Sequence, residues 1–128
     1  MKTYVISDTH LNHDRIKTYC DRPENFTKLI VRNWQQTVKA EDLVIHVGDV
    51  FIGKSSGWDE IWPTLPGRKI LVRGNHDWGH SLTWWMDKGG FDAAVDSMKF
   101  GRVYFSHYPA QELPEHCDVN VHGHLHNI

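Results

Sequence analysis

Five short apolar runs in this chain each end on residues able to bind a metal. Tyr4-Val5-Ile6-Ser7 leads into Asp8 and His10, and Leu43-Val44-Ile45-His46-Val47 into Gly48-Asp49. Ile70-Leu71-Val72-Arg73 leads into Gly74-Asn75-His76-Asp77. Val103-Tyr104-Phe105-Ser106 leads into His107, and Val119-Asn120-Val121-His122 into Gly123-His124-Leu125-His126. Runs rich in Val, Ile and aromatics, bounded by Gly and Asn/Asp, read as buried strands. In open α/β sheets, functional groups collect past the carboxyl ends of the strands. Five strand ends that deliver Asp, Asn and His to one edge predict a metal site assembled across the sheet.

A chain of 128 residues fits a single domain, residues 1–128, and a chain of this size buries roughly two-thirds of its unfolded surface. Its formal net charge of −2 gives no broad basic surface, so nucleic acid is not the expected partner. Histidine is the anomaly: there are ten, and His10, His76, His107, His124 and His126 all fall in the motifs above. Chance surface placement accounts for His80 and His116 but not for that clustering. Cys20 and Cys117 have no second thiol at metal-site spacing and read as free thiols in a reducing compartment. The apolar stretch after Lys2 is too short for a secretory core, and no run approaches a membrane span. The expected location is the cytoplasm, away from membranes.

Between the first two strands, residues 12–20 suit a short helix. After it, Phe26, Ile30, Trp34 and Val38 recur every four residues with Leu29 in the adjacent row, the pattern of an amphipathic helix on a sheet. A strand–helix–strand order favours parallel pairing. A second short helix is expected at 58–62 and a third at 80–88, the latter ended by Gly89-Gly90. From Phe91 the helical period disappears, and 93–100, Gly101-Arg102 and 103–106 read as a hairpin. The fold class is therefore α/β: a layered protein with mixed β-sheets flanked by helices, parallel first and antiparallel later.

Taken singly, the motifs are weak, because Asp-x-His, Gly-Asp and a Gly-Asn turn each occur at ordinary strand ends. Taken together and in order, Asp8-Thr9-His10, Gly48-Asp49, Gly74-Asn75-His76-Asp77, His107 and Gly123-His124-Leu125-His126 resemble the signature of the calcineurin-like metallophosphoesterases. The form of the blocks, including His107-Tyr108-Pro109, is similar to small bacterial and phage-encoded members. The resemblance implies one metal held by Asp8, His10, Asp49 and His126, and a second held by Asp49, Asn75, His107 and His124. Asp49 would bridge, since a carboxylate has two oxygens. His76 would stay off the metals and face the substrate as the catalytic residue.

The chemistry agrees with those roles. Two ions roughly 3.5–4 Å apart clamp the attacking and leaving oxygens of an in-line displacement. Two aspartates and a bridging hydroxide leave such a centre with about one net positive charge, enough to attract a phosphate ester. Mixed imidazole, amide and carboxylate ligation suits manganese, with iron, zinc or nickel as alternatives, better than calcium or magnesium. His46 and His122 are either orienting donors or core histidines. Asn12 and His13 are candidates for the mouth of the site. Trp78 either stacks on a nucleobase or belongs to a lid or core, and Trp84 and Trp85 read as core. Arg73 or Arg68 would be needed for extra phosphate binding.

Two departures shape the expectation. The Asp-Arg pair that the protein phosphatase branch carries after Gly-Asp is absent, since Val50-Phe51-Ile52-Gly53 follows Asp49, and the third block ends in Asp77 rather than Glu. Family members usually continue beyond the last histidine block with more strands, so the fold reads as minimal at its C-terminus. Either that minimal fold stands alone, or a partner, a homo-oligomer included, supplies the edge, or the natural protein is longer than these 128 residues. The expected activity is a dinuclear metal-dependent phosphoesterase that attacks with a metal-bridging hydroxide and favours phosphodiesters, on a phosphate-ester small molecule or nucleotide. The alternative is a non-catalytic scaffold of the same fold, against which the retained His76 argues.

Overall fold

Each apolar run forms a strand because Val, Ile and aromatic side chains fit a pleated, buried surface. The computed structural model describes residues 1–9, 26–50, 61–77 and 79–123. Four parallel strands, β1 (Thr3–Ile6), β2 (Leu43–His46), β3 (Arg68–Val72) and β4 (Ala93–Val95), lie side by side in that order. The register sets Ile6 beside His46, His46 beside Leu71, and Val72 beside Val95. All four strands therefore finish at one edge.

A second sheet holds β5 (Ser97–Phe100), β6 (Val103–Ser106) and β7 (Val119–His122). β5 and β6 are antiparallel, and β6 and β7 parallel, with Ser106 beside His122. The expected single sheet edge is corrected here: three of the five motif strands lie in the first sheet and two in the second. The expected hairpin arm 93–100 is also divided. Its first three residues pair with β3, the chain breaks at Asp96, and only 97–100 pairs with β6. Asp96 lies at the crossing point, where its carboxylate takes Arg73 Nε at 2.9 Å.

Helix α1 (Phe26–Thr37) and α2 (Leu82–Asp87) pack on the first sheet. Trp34 and Val38 are buried along the α1 side, and Ile30 packs against them, while Leu29 in the adjacent row is 39% exposed. α2 begins two residues later than the sequence suggests, because Ser81 caps it by accepting the Trp84 N–H at 3.1 Å. The 3₁₀ turn Trp62–Thr64 takes Pro63 within its first positions, where the missing N–H does no harm. Residues 12–20 and 58–60 lie outside the described residues.

The interior strands of the first sheet are buried on both faces, which is why β2 is nearly continuous apolar sequence, while the edge strand β1 leaves Val5 exposed. Val44 and Leu71 face the helices, in a cluster with Trp34, Trp62, Trp85 and Phe91. Ile45, Val47 and Val72 face the second sheet, against Phe105, Met98 and Val121. Trp62 and Phe91 meet at 4.6 Å between ring centres, and Phe91 and Trp85 at 5.9 Å. Removing one such buried tryptophan costs about 3–5 kcal/mol. Among the described residues no helix is long and apolar enough to cross a membrane.

Candidate metal centre

The strand ends of both sheets meet at one place. β2 ends in a turn that only particular residues can make. Gly48 has φ +101°, and a Cβ there would lie 2.5 Å from His107 Nδ1 and 2.8 Å from the Gly74 backbone. Glycine is thus required twice over, for its left-handed backbone and for the close approach. Asp8 and Asp49 also adopt positive φ, 53° and 59°. Aspartate tolerates this region better than most residues, though at a cost. The two turns are stitched together by Asp8 N–H to Gly48 O at 2.9 Å and Val47 N–H to Ile6 O at 2.8 Å.

Four ligand-type side chains gather there. His107, 3% exposed, places Nε2 3.1 Å from Asn75 Oδ1 and 3.3 Å from Asp49 Oδ2. Its other nitrogen lies 2.8 Å from the Val47 carbonyl, which can only accept, so Nδ1 carries the proton. In the neutral ring Nε2 is then a bare lone pair facing two further oxygen lone pairs. That is an arrangement of acceptors that a cation, or a proton, must reconcile. Asp8, Asp49 and His107 each offer one ligand atom within 4.8 Å of the others. The donor set therefore fits a divalent metal. Burial alone would push the His107 pKa down. The hydrogen bond to Asp49, the Val47 carbonyl and the charges of Asp49 and Asp8 outweigh it, and the imidazole lies above its ordinary value.

The surrounding groups hold these ligands in place. Asp77, wholly buried, accepts three backbone N–H groups: Asp49 at 2.7 Å, Gly74 at 2.8 Å and Val50 at 3.0 Å. It thereby clips the β2 turn to the 3₁₀ turn Asn75–Asp77 that presents Asn75. Burial raises its pKa, against the pull of the three donors. Trp85 in α2 fixes the same turn through Nε1–H to Asp77 O at 3.0 Å. A Cβ on Gly74 would come within 2.6 Å of Asp49 Oδ1. On the second sheet, Asn120 accepts the Ala110 N–H at 2.8 Å and donates to Tyr104 O and to Ser106 Oγ. Ser106 in turn donates to Tyr108 O at 2.7 Å. These bonds lock the bend carrying His107. Ser7 donates to the Asp8 carboxylate, and the Gly123 N–H donates to His107 O at 2.9 Å.

Of the residues expected at the site, the structure brings Asp8, Asp49, Asn75 and His107 together. His10, His124 and His126 lie outside the described residues, as do Asn12, His13 and Trp78. His76 occupies the middle of the 3₁₀ turn beside Asn75, and its side chain lies outside the described set. His122 directs Nδ1 to the adjacent Gly123 carbonyl at 3.0 Å, while His46 is buried and bonded to both Thr9 and Gly48. Trp85 is core, as expected, and Trp84 is partly buried against it. Neither arginine faces the metal ligands. Arg73 is held by Asp96 and the His80 carbonyl, and Arg68 begins β3 at the opposite end of the sheet. Sequence reasoning did not single out Asp77, Asn120, Ser7 or Thr9. Asp77 and Thr9 lay inside the motifs without a supporting role being read for them, and Asn120 left the signal of a polar residue inside an apolar strand.

Fold and site together define an α/β protein with a candidate metal centre at the junction of two sheets. The family model for calcineurin-like phosphoesterases matches residues 1–128, and the chain belongs to that family. It is 39% identical over 82 residues to an uncharacterized protein of Methanocaldococcus jannaschii, covering 59% of this chain and 47% of the relative. It is 31% identical over 86 residues to the gene 66 protein of Mycobacterium phage L5, covering 62% and 42%. The matched stretches thus span less than half the length of these curated relatives. Among solved structures, a protein of unknown function from Aquifex aeolicus superposes with TM-score 0.78 at 30% identity. That superposition covers 98% of this chain and 80% of the other.

Proposed function

We propose that the chain is a dinuclear metal-dependent phosphoesterase that favours phosphodiesters over monoesters. The observation that carries the reading is the convergence of Asp49 Oδ2, Asn75 Oδ1 and His107 Nε2, with the Asp8 carboxylate alongside. One ion is assigned to Asp8, His10, Asp49 and His126, and the other to Asp49, Asn75, His107 and His124. Asp49 is assigned as the shared ligand, a reading supported by its carboxylate lying 3.3 Å from His107 Nε2 and within 4.8 Å of a ligand atom of Asp8. When bound, the ions supply the Lewis acidity that activates water and offset charge on the phosphoryl group. The chain's own residues do the rest. Val47 holds His107 in the tautomer that leaves Nε2 as a donor of electrons. Asp77 fixes the Asp49 and Asn75 loops, and His76 is assigned to stabilise or protonate the leaving oxygen.

Two features support the diester preference. The centre would keep about one net positive charge, matched to a singly charged ester. Among the described residues, Arg73 and Arg68 are both directed elsewhere, so neither adds the cation a dianion would want. Manganese is the expected metal. The cytoplasm is the expected compartment, which the free thiol of Cys117 suits. The test crosses Mn²⁺, Ni²⁺, Zn²⁺ and Mg²⁺ with aryl phosphodiesters, aryl phosphomonoesters and cyclic nucleotides. Metal-dependent turnover with a diester kcat/KM at or above that of the matched monoester is expected. A monoester preference above about tenfold, or ~1.4 kcal/mol, overturns the ester assignment, and no turnover with any metal returns the protein to the scaffold reading.

A further inference from the structure

A buried histidine outside the ligand set joins the two loops that carry Asp8 and Asp49. His46 is 1% exposed on the helix-facing side of β2, its ring edge-on to Phe91 at 6.4 Å. The Gly48 N–H lies 3.1 Å from Nδ1, and because an amide N–H only donates, Nδ1 carries no proton. At the other end, Nε2 lies 3.0 Å from Thr9 Oγ1. The Thr9 hydroxyl gives its own proton to the Val50 carbonyl at 2.8 Å, so it receives the proton of His46 Nε2–H. The two ends of the ring independently demand the same neutral tautomer.

We infer that His46 and Thr9 are positioning residues for the metal centre: together they form a strut of fixed length and polarity between its two carboxylate loops. Thr9, 2% exposed, stands between Asp8 and His10. The strut's other contacts, Gly48 N–H and Val50 C=O, flank Asp49 on either side. Asp8 and Asp49 both hold left-handed backbone, which persists in a non-glycine residue only where the surroundings over-determine it. A link that grips the residues adjoining both of them is such a surrounding. A purely space-filling role would call for an apolar side chain here, beside Val44, Leu71 and Phe91. Instead both ring nitrogens are directed into the ligand loops.

The inference rests on the metal reading above, and the experiment separates the two. Thr9→Val preserves shape and removes the hydroxyl, while Thr9→Ser restores it. Mn²⁺ affinity is measured by calorimetry and by the electron spin resonance of free Mn²⁺, beside the melting temperature of each metal-free protein. Thr9→Val should bind Mn²⁺ about 10–100-fold more weakly, the usual loss when a group supporting a metal ligand is removed. Thr9→Ser should bind as the wild type does. His46→Asn keeps an acceptor for Gly48 but falls short of Thr9, so it should lose as much, and the double variant no more than either single. Wild-type affinity in Thr9→Val, additive losses in the double variant, or a Thr9→Val chain that fails to fold would each overturn the strut. Absence of Mn²⁺ binding by the wild type would overturn the metal reading itself.

Discussion

Replacing Asp77 by Asn tests how the site is held, apart from what it binds. The carboxylate has two short bonds on Oδ2, from Asp49 and Gly74, and one at 3.0 Å on Oδ1, from Val50. Asparagine has the same shape but only one acceptor oxygen. Its better orientation puts that oxygen in the Oδ2 place and turns its NH₂ toward the Val50 N–H, donor against donor. One hydrogen bond is lost and a buried N–H is left unsatisfied, a cost of about 1–3 kcal/mol. Part of this is offset, because the amide carries no charge to desolvate and burial is the largest cause of the raised Asp77 pKa. A net loss of about 1–2 kcal/mol should lower the melting temperature of the metal-free chain by about 3–8 °C.

The pH dependence of that gap shows which force prevails at Asp77. A carboxyl with a raised folded-state pKa contributes stability that is full below its ordinary value near 3.8 and is lost as pH rises through the raised value. The asparagine does not titrate. The wild type should therefore gain on Asp77→Asn as pH falls through this window. Thermal denaturation of both proteins across mildly acid pH measures the gap. A variant as stable as the wild type at pH 7 would refute the unsatisfied-donor argument. A gap that narrows in acid would mean that the three N–H donors outweigh burial.

Asp49→Asn should bind neither Mn²⁺ ion tightly, and its metal-free form should melt no lower than the wild type. Metal analysis after Mn²⁺ loading and a melting curve check this, and retention of one tightly held ion would show that Asp49 does not bridge. His76→Asn should lower turnover by about 10²–10⁴-fold with metal content unchanged, the range for a general acid. The loss should shrink for substrates with good leaving groups, and equal loss across a leaving-group series would make the role electrostatic instead. His107 sets opposed pH trends. Its raised pKa stabilises the metal-free chain fully below about 6.5 and less as pH rises through the folded value, while Mn²⁺ affinity should rise as the competing proton leaves Nε2. Affinity that does not change with pH would remove the proton from that contest.

The strands were readable from sequence because their apolar runs and punctuation are local signals. β1, β2, β3, β6 and β7 lie within a residue or two of their expected places. The division of 93–100 between two sheets was not readable. It depends on 93–95 pairing with β3 and 97–100 with β6, with Asp96 between them held by Arg73 from 23 positions away, and no local pattern carries those contacts. Leu29 shows the same limit, since helical period places it beside the core but only packing decides its exposure. At the candidate site, Asp8, Asp49, Asn75 and His107, which the structure brings together, were visible as motif residues. The groups that support them were not. Asp77 sits inside the third motif, but that it caps the β2 turn rather than a metal follows only from β2 lying beside β3. The His46 tautomer needed both its neighbours, Thr9 and Gly48, which come from different loops.

The residues least favourable to the metal-free fold are the ones the site needs. Asp49 and Asp77 are wholly buried, Asp8 is half-buried, and Asp8 and Asp49 also hold left-handed backbone. Burying carboxylates is costly unless charge or hydrogen bonds compensate. Here the compensation is partial and built in, from backbone N–H groups at Asp77 and the His107 imidazole at Asp49. A divalent cation at the candidate centre would complete it. Binding then stabilises the fold by mass action, about 2.7 kcal/mol when free metal stands at a hundred times its dissociation constant. This is why neutralising Asp49 should spare or raise the stability of the metal-free chain while abolishing binding. The two-sheet core makes such a site tolerable. Val47, Val72 and Phe105 pack the sheets together at the strand ends, so the concentrated charge sits against a packed junction of the two sheets.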